Sequence, residues 1–240
     1  MDTAALAGRS ALVTGASRGI GAKIAEALGR AGARVVLVAR TRSALEEVAR
    51  RSGTDAIVVD ADLTDEKAAS EAARKVRDEL GGAPDILVNN AGIFRIVELE
   101  SMEPAEFSTM LTLNLLSPFL MLREFLPSMR ERGSGHVITI GSSADKVIYA
   151  GNGAYSATKF GMRAMHEVLR EETRGSGIRA TLVSPAGVDT DIWEPIRFLG
   201  VTEPPDRTRM MDPQAVADAV LYAVTQPANV NIDELRLSKA

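Results

Sequence analysis

Short apolar runs alternate along the chain with amphipathic stretches, and glycine-containing turns separate them. The runs at 10–14, 34–39, 56–60, 85–89, 136–141, 178–184 and 232–237 read as strands. Between them, apolar residues recur at helical spacing over 19–31, 41–51, 64–80, 154–173 and 213–225. Gly32 and Gly53 stand just past the first two of these as stop signals. The stretch 103–132 carries the same spacing, but Pro118 and Pro127 predict a kink or break inside it. Continuous apolar strands alternating with helices predict a parallel sheet covered on both faces. Residues 186–212 lack either period. They carry Pro195, Pro204 and Pro205 together with Trp193, Ile196, Phe198, Leu199, Met210 and Met211. Such a segment is read either as a loop packed on the core or as a cover over a binding site.

Composition narrows the picture. With 240 residues, 45% of them hydrophobic and 25% charged, the chain can bury a large core. There is no repeat, low-complexity tract or linker, so residues 1–240 are read as a single domain. The net charge of −4 gives no basic surface, which argues against nucleic acid and anionic membrane as partners. Cysteine is absent, which excludes disulfides and thiolate zinc sites, and His136 and His166 are the two histidines. No metal is expected. No run approaches the ~20 apolar residues of a membrane span, and the first ten residues do not read as a secretory signal. A soluble, cytoplasmic protein is the expectation.

The first strand runs into Thr14-Gly15-Ala16-Ser17-Arg18-Gly19-Ile20-Gly21, a strand–turn–helix with G-x-x-x-G-x-G spacing. Glycines there permit a tight turn and close approach of backbone to a pyrophosphate. The helix start offers it free N–H groups and partial positive charge. At the end of the second strand, an acidic residue would hold a ribose 2′-hydroxyl. This chain has Arg40 instead, with Arg18 in the turn. Two guanidinium groups suit a 2′-phosphate, so NADP(H) is expected over NAD(H). The alternative is that Arg40 is an incidental surface residue.

Tyr155 and Lys159, four apart at the start of a helix, share one face. A nearby ammonium favours the phenolate, so the pair can serve as an acid/base device. Ser142 stands at the end of the fifth strand, where ligands bind in open α/β sheets. Its hydroxyl can hydrogen-bond a substrate oxygen, or simply cap the loop.

Taken together, Thr14–Gly21, Asp62, Asn89-Asn90-Ala91-Gly92, the Ser142–Tyr155–Lys159 set and the stretch from Pro185 to Thr190 resemble the short-chain dehydrogenase/reductases in their compact, single-domain branch. The resemblance covers nearly the whole chain. It implies an α/β, single-domain Rossmann fold with a doubly wound, mainly parallel seven-stranded sheet and helices on both faces. It also implies an oxidoreductase that interconverts a carbonyl and an alcohol, with Tyr155 as acid or base and Ser142 orienting the oxygen. Asn114, otherwise only a helix-distorting residue, matches the asparagine that holds a water in a proton relay to the lysine. Asp62, with Leu63 beside it, matches the adenine contact, and Asn90, Ala91 and Gly92 match the segment beside the adenosine ribose. Lys159 would also bind the nicotinamide ribose, and Val188 and Thr190 the carboxamide. Relatives commonly assemble through their two long helices, so a homodimer or homotetramer is expected.

One departure stands out. The family reads Pro-Gly-x-Val after the sixth strand, whereas here Pro185-Ala186-Gly187-Val188 has its glycine one place late. The substrate, a small molecule, would meet Ile93-Phe94-Arg95, Val147-Ile148-Tyr149 and the 186–212 loop. These are mostly apolar and favour hydrophobic bulk. Arg95 and Arg197 instead offer partners for a carboxylate, and the tail at 229–235 is similar to those of relatives acting on 3-hydroxy acids. Competing readings are an NAD(H)-preferring alcohol dehydrogenase, an epimerase or dehydratase with retained cofactor, and a non-catalytic NADP(H)-binding sensor or scaffold.

Overall fold

The computed structural model describes residues 4–53, 55–194 and 206–240. Its strands are β1 (Ser10–Thr14), β2 (Arg34–Ala39), β3 (Ile57–Asp60), β4 (Ile86–Asn89), β5 (Gly135–Ile140), β6 (Ile178–Pro185) and β7 (Glu234–Leu237). They form one sheet in the order β3-β2-β1-β4-β5-β6-β7. Every pairing is parallel, so the sheet is wholly rather than mainly parallel. The chain steps outward from β1 to β2 and β3, then returns to lay β4 on the other side of β1. That reversal opens a crevice at the carboxyl ends of β1 and β4, the place where such sheets bind ligands.

The helices are α1 (Gly19–Arg30), α2 (Arg42–Ser52), α3 (Glu66–Leu80), α4 (Pro104–Leu111), α5 (Ser117–Arg132), α6 (Gly153–Glu172) and α7 (Pro213–Val224). Successive strand residues point to opposite faces. In β1, Ala11 and Val13 join the core beneath α1, α2 and α7, while Leu12 joins the core beneath α3, α5 and α6. Two buried faces explain why the strands read as unbroken apolar runs.

Several ends differ from the sequence reading for local reasons. Helix α3 starts at Glu66 rather than 64 because the Asp65 side chain accepts from the Ala68 N–H at 2.7 Å and caps it. Strand β7 starts two residues late because the Asn231 side chain bonds both backbone groups of Ala180, at 3.0 and 3.1 Å, where a ladder would otherwise form.

In 103–132 the disruption precedes the first proline. Residues Thr112–Leu116 make a π turn, in which the Ser117 N–H reaches back to the Thr112 carbonyl. Pro118 has no N–H to give the Asn114 carbonyl, which removes one α-helical bond and favours the wider turn. Pro127 sits inside α5 without ending it, flanked by the buried Phe125 and Met129. The resulting helical stretch Pro104–Arg132, with a mean hydropathy of 1.2 over its most apolar window, is long and apolar enough to cross a membrane. That corrects the sequence expectation. Here it packs on α3 and α6 with Met110, Met121, Phe125 and Met129 fully buried.

Candidate active site

The turn after β1 shows why its glycines are spaced as they are. Gly15 and Gly19 adopt φ of +67° and +56°, in the left-handed region. Gly21 does not, but a Cβ on it would lie 2.3 Å from the Gly15 carbonyl oxygen and 2.5 Å from Asn90 Nδ2. The third glycine therefore lets α1 pack against the turn. Arg18 precedes α1 without capping it, and no acidic residue occupies the first turn. The helix start is left able to receive an anion.

Asn90 braces this cradle. Its Nδ2 donates to the carbonyls of Thr14 and Gly15, at 2.9 and 3.3 Å. Thr14 Oγ1 accepts from the N–H groups of Asn90 and Ala91 and donates to the Val88 carbonyl. Thr14 thus ties β1 to β4, a role the sequence reading did not assign to it.

The cradle opens into a cleft of about 880 Å³. Its lining includes Gly15, Ser17, Arg18, Gly19, Ile20 and Gly21, then Arg40, Asp62 and Leu63 beyond β2 and β3. Asn90, Ala91 and Gly92 follow β4, and Ser142, Tyr155, Lys159, Pro185, Val188 and Thr190 complete the far side. Arg18 and Arg40 are exposed, and among the described residues neither forms an ion pair. Arg42, by contrast, is held by Asp60 at 2.7 Å and by Glu46 at 3.1 Å. Burial works against the charge of Asp62, but two hydrogen bonds from Thr64 and the nearby Arg40 hold its carboxyl below the usual range.

Asn114 does not line the cleft. It is fully buried one layer behind, where Oδ1 accepts from the Ile93 N–H at 2.8 Å and Nδ2 donates to the Ile93 carbonyl and Thr158 Oγ1. Its side chain steadies the segment that carries Phe94.

Tyr155 and Lys159 project from the first turns of α6. Lys159 Nζ donates to the Ile140 carbonyl at 3.0 Å and lies 5.6 Å from the Tyr155 ring centroid. Burial pushes the Tyr155 phenol up to about 12, against the opposing hydrogen bond with Ser142. Burial likewise lowers the Lys159 ammonium to about 8, against the favourable charge of Asp145. From the sequence alone, the Lys159 ammonium is expected to lower the phenol. In the folded protein desolvation raises the phenol, the Asp145 charge adds to it, and the opposing influence is the Ser142 hydrogen bond rather than Lys159. Ser142 is extended at the end of β5, and its Oγ accepts from the Ala144 N–H at 3.2 Å. It caps the turn and faces the cleft at once.

Phe94 stands edge-on between Tyr155, at 4.6 Å between centroids, and Trp193, at 5.1 Å. Trp193 Nε1 donates to the Val188 carbonyl at 2.8 Å. Tyr149 lines the same end and its hydroxyl contacts Ser143 Oγ. Val147 and Ile148 are exposed outside the lining. Arg95 turns its guanidinium to the neighbouring Phe94 carbonyl and is not among the lining residues, so it offers no carboxylate partner here. Arg197, Pro195, Ile196, Phe198, Leu199, Pro204 and Pro205 lie outside the described residues. The stems of the 186–212 segment are joined by a Val188–Met211 bridge and an Asp189–Arg207 ion pair at 2.5 Å.

The late glycine proves harmless. Gly187 has no positive φ, and a Cβ there would meet Met210 Cγ at 3.4 Å, an ordinary contact. Ala186 is held by its N–H on the Leu237 carbonyl at 2.8 Å.

Residues 9–198 match the family described as short chain dehydrogenase. An uncharacterized oxidoreductase of Staphylococcus aureus strain MW2 is 35% identical over 231 residues, covering 96% of each chain. A glycine betaine reductase of Emericella nidulans is 36% identical over 239 residues, covering 96% of this chain but 18% of that much longer protein. The crystal structure of a metagenomic short-chain oxidoreductase in complex with NADP superposes with a TM-score of 0.83 at 36% identity, covering 98% of this chain and 99% of the other.

Proposed function

The chain belongs to the short-chain dehydrogenase family, and from that premise we propose that it is an NADP(H)-dependent oxidoreductase interconverting a small-molecule carbonyl and an alcohol. The observation that carries this reading is the convergence of Ser142, Tyr155 and Lys159 at one end of a cleft whose other end holds two arginines that form no ion pair among the described residues. Gly15, Ser17, Gly19, Ile20 and Gly21 with the start of α1 would hold the pyrophosphate. Arg18 and Arg40 would hold a 2′-phosphate, Asp62 and Leu63 the adenine, and Asn90, Ala91 and Gly92 the adjacent ribose. Pro185, Val188 and Thr190 would flank the carboxamide. When bound there, the nicotinamide supplies or accepts the hydride.

The chain's own residues handle the oxygen and its proton. In the reducing direction Ser142 orients the carbonyl oxygen by a hydrogen bond and Tyr155 donates the proton to it. A phenol kept protonated by burial suits this acid role. Lys159 stabilises the phenolate left behind, and Asn114 belongs to the relay that returns the proton from solvent. Phe94, Tyr149 and Trp193 favour a substrate with hydrophobic bulk. Oligomer formation through α4–α5 and α6 fits the exposed Phe119, Phe160 and Val168 on those helices.

The test is NADPH consumption at ~340 nm, the absorbance of a reduced nicotinamide, against ketones, aldehydes and keto acids, with NADH and Tyr155→Phe in parallel. Turnover that prefers NADPH and disappears in the variant supports the reading. NADH preference would reassign Arg18 and Arg40. Tight NADPH binding without turnover on any substrate would favour a sensor.

A further inference from the structure

Asp145 takes no part in that reaction, yet it is buried to 1% exposure three residues beyond Ser142. Its Oδ2 accepts from the Ser184 hydroxyl at 2.5 Å and from the Ser142 backbone N–H at 3.4 Å. Its Oδ1 accepts from Arg163 at 3.1 Å and Arg236 at 3.3 Å. One carboxylate thus joins the end of β5, the end of β6, α6 and β7. Arg163 follows Tyr155 and Lys159 at successive intervals of four, on their face of α6. The chain has closed around the group. A Cβ on Gly141 would lie 2.6 Å from Ser184 Oγ and 2.7 Å from Asp145 Oδ2.

Capping a three-residue turn does not require this. A buried charge is costly unless it is paired and hydrogen-bonded, and a surface serine or asparagine would cap as well. We propose that Asp145 is a positioning residue for catalysis, whose carboxylate locks Ser142 to the helix bearing Tyr155 and Lys159. The inference rests on the proposed roles of those three residues.

A second consequence follows from its charge. Asp145 favours the protonated forms of Tyr155 and Lys159. The charges around it are Arg163 on α6, Arg236 and Glu234 on β7, Lys146 paired with Glu234, and Glu167 at 3.8 Å from Arg163. Removing the carboxylate makes the site more positive and eases loss of the phenol proton. Removing Arg236 does the opposite.

The experiment compares Asp145→Asn, Ser142→Ala, their double variant, Arg236→Gln and Tyr155→Phe in the full chain. Alcohol oxidation is followed against pH at saturating NADP+, and NADPH binding is titrated separately. Asp145→Asn should lose about 10- to 100-fold in kcat while NADPH affinity stays within about 3-fold. In the Ser142→Ala background the same change should cost less than about 2-fold, because the hydroxyl that the carboxylate positions is already gone while the backbone N–H it bonds remains. The pH midpoint of oxidation should fall by about half a unit or more in Asp145→Asn and rise in Arg236→Gln. An active Tyr155→Phe protein would overturn the proposed acid and, with it, the positioning role built on that acid. With Tyr155→Phe inactive, multiplicative losses or unmoved midpoints would overturn the role of Asp145. Should Asp145→Asn fail to fold, the Arg236→Gln midpoint decides: a rise supports the role and an unchanged value rejects it.

Discussion

The ammonium of Lys159 lies over the ring of Tyr155, 5.6 Å from its centroid, with its hydrogen bond given to the Ile140 carbonyl. Lys159 is buried while Tyr155 is partly exposed to the cleft, and the shift of Lys159 from 10.5 to about 8 has a consequence for stability. Between those values the unfolded chain holds the proton and the folded chain does not, so stability rises with pH across that window. Below it, at pH 7, the buried ammonium costs about 3 kcal/mol. Lys159→Met should therefore lose about 100-fold or more in turnover while urea unfolding at pH 7 shows stability equal to or above the parent. A marked loss of stability would mean that the bond to Ile140 outweighs the cost of burying the charge.

Two glycines give opposite expectations. Gly21→Ala would press a methyl into the Gly15 carbonyl and into the Asn90 side chain that bonds it, with Asn90 itself held by Thr14. NADPH binding, followed by fluorescence, should weaken by at least about 10-fold. Among the described residues, Gly187→Ala meets only the flexible Met210 side chain at 3.4 Å, and should leave binding within about 2-fold.

Arg18 and Arg40 are exposed at the far end of the cleft. Replacing either with alanine should lower kcat/KM for NADPH by about 10- to 100-fold, the worth of a charge-assisted bond. The value for NADH should hardly change. Equal losses with both cofactors would show that the arginines shape the turn rather than read a phosphate.

His136 and His166 are buried beside Thr181 and Thr139, and burial lowers them to about 3 and about 4. Below pH 6.5 the unfolded chain takes up protons that the folded chain refuses, so stability falls as pH falls, by about 1.4 kcal/mol per unit for each histidine. Urea unfolding at several pH values between those limits should show this slope, and His166→Gln should reduce it. A slope unchanged by the substitution would place the acid sensitivity in the carboxylates.

Much of the fold was legible because parallel strands covered on both faces must be apolar at every position. The glycine turn, Ser142, Tyr155 and Lys159 were legible because each occupies a fixed distance from a strand end or from another site residue. The π turn was not. Pro118 announced a disruption, but the turn falls before it, at Thr112–Leu116. Asn114 was named through family resemblance, and its bonds to Ile93 and Thr158 join segments 21 and 44 residues apart.

By itself, the sequence determined the order of strands and helices, the glycines of the turn, and the placement of Tyr155 and Lys159 on one helical face. Each follows from contacts between residues close along the chain or from a short period. Tertiary structure alone decided what surrounds those groups. Asp145 meets Arg163, Ser184 and Arg236 across separations of 18, 39 and 91 residues. Desolvation and Asp145, ten residues away, raise the phenol of Tyr155, and Ser142 opposes them. Water is excluded and charges are paired only when distant segments close on one another, and no local pattern records that.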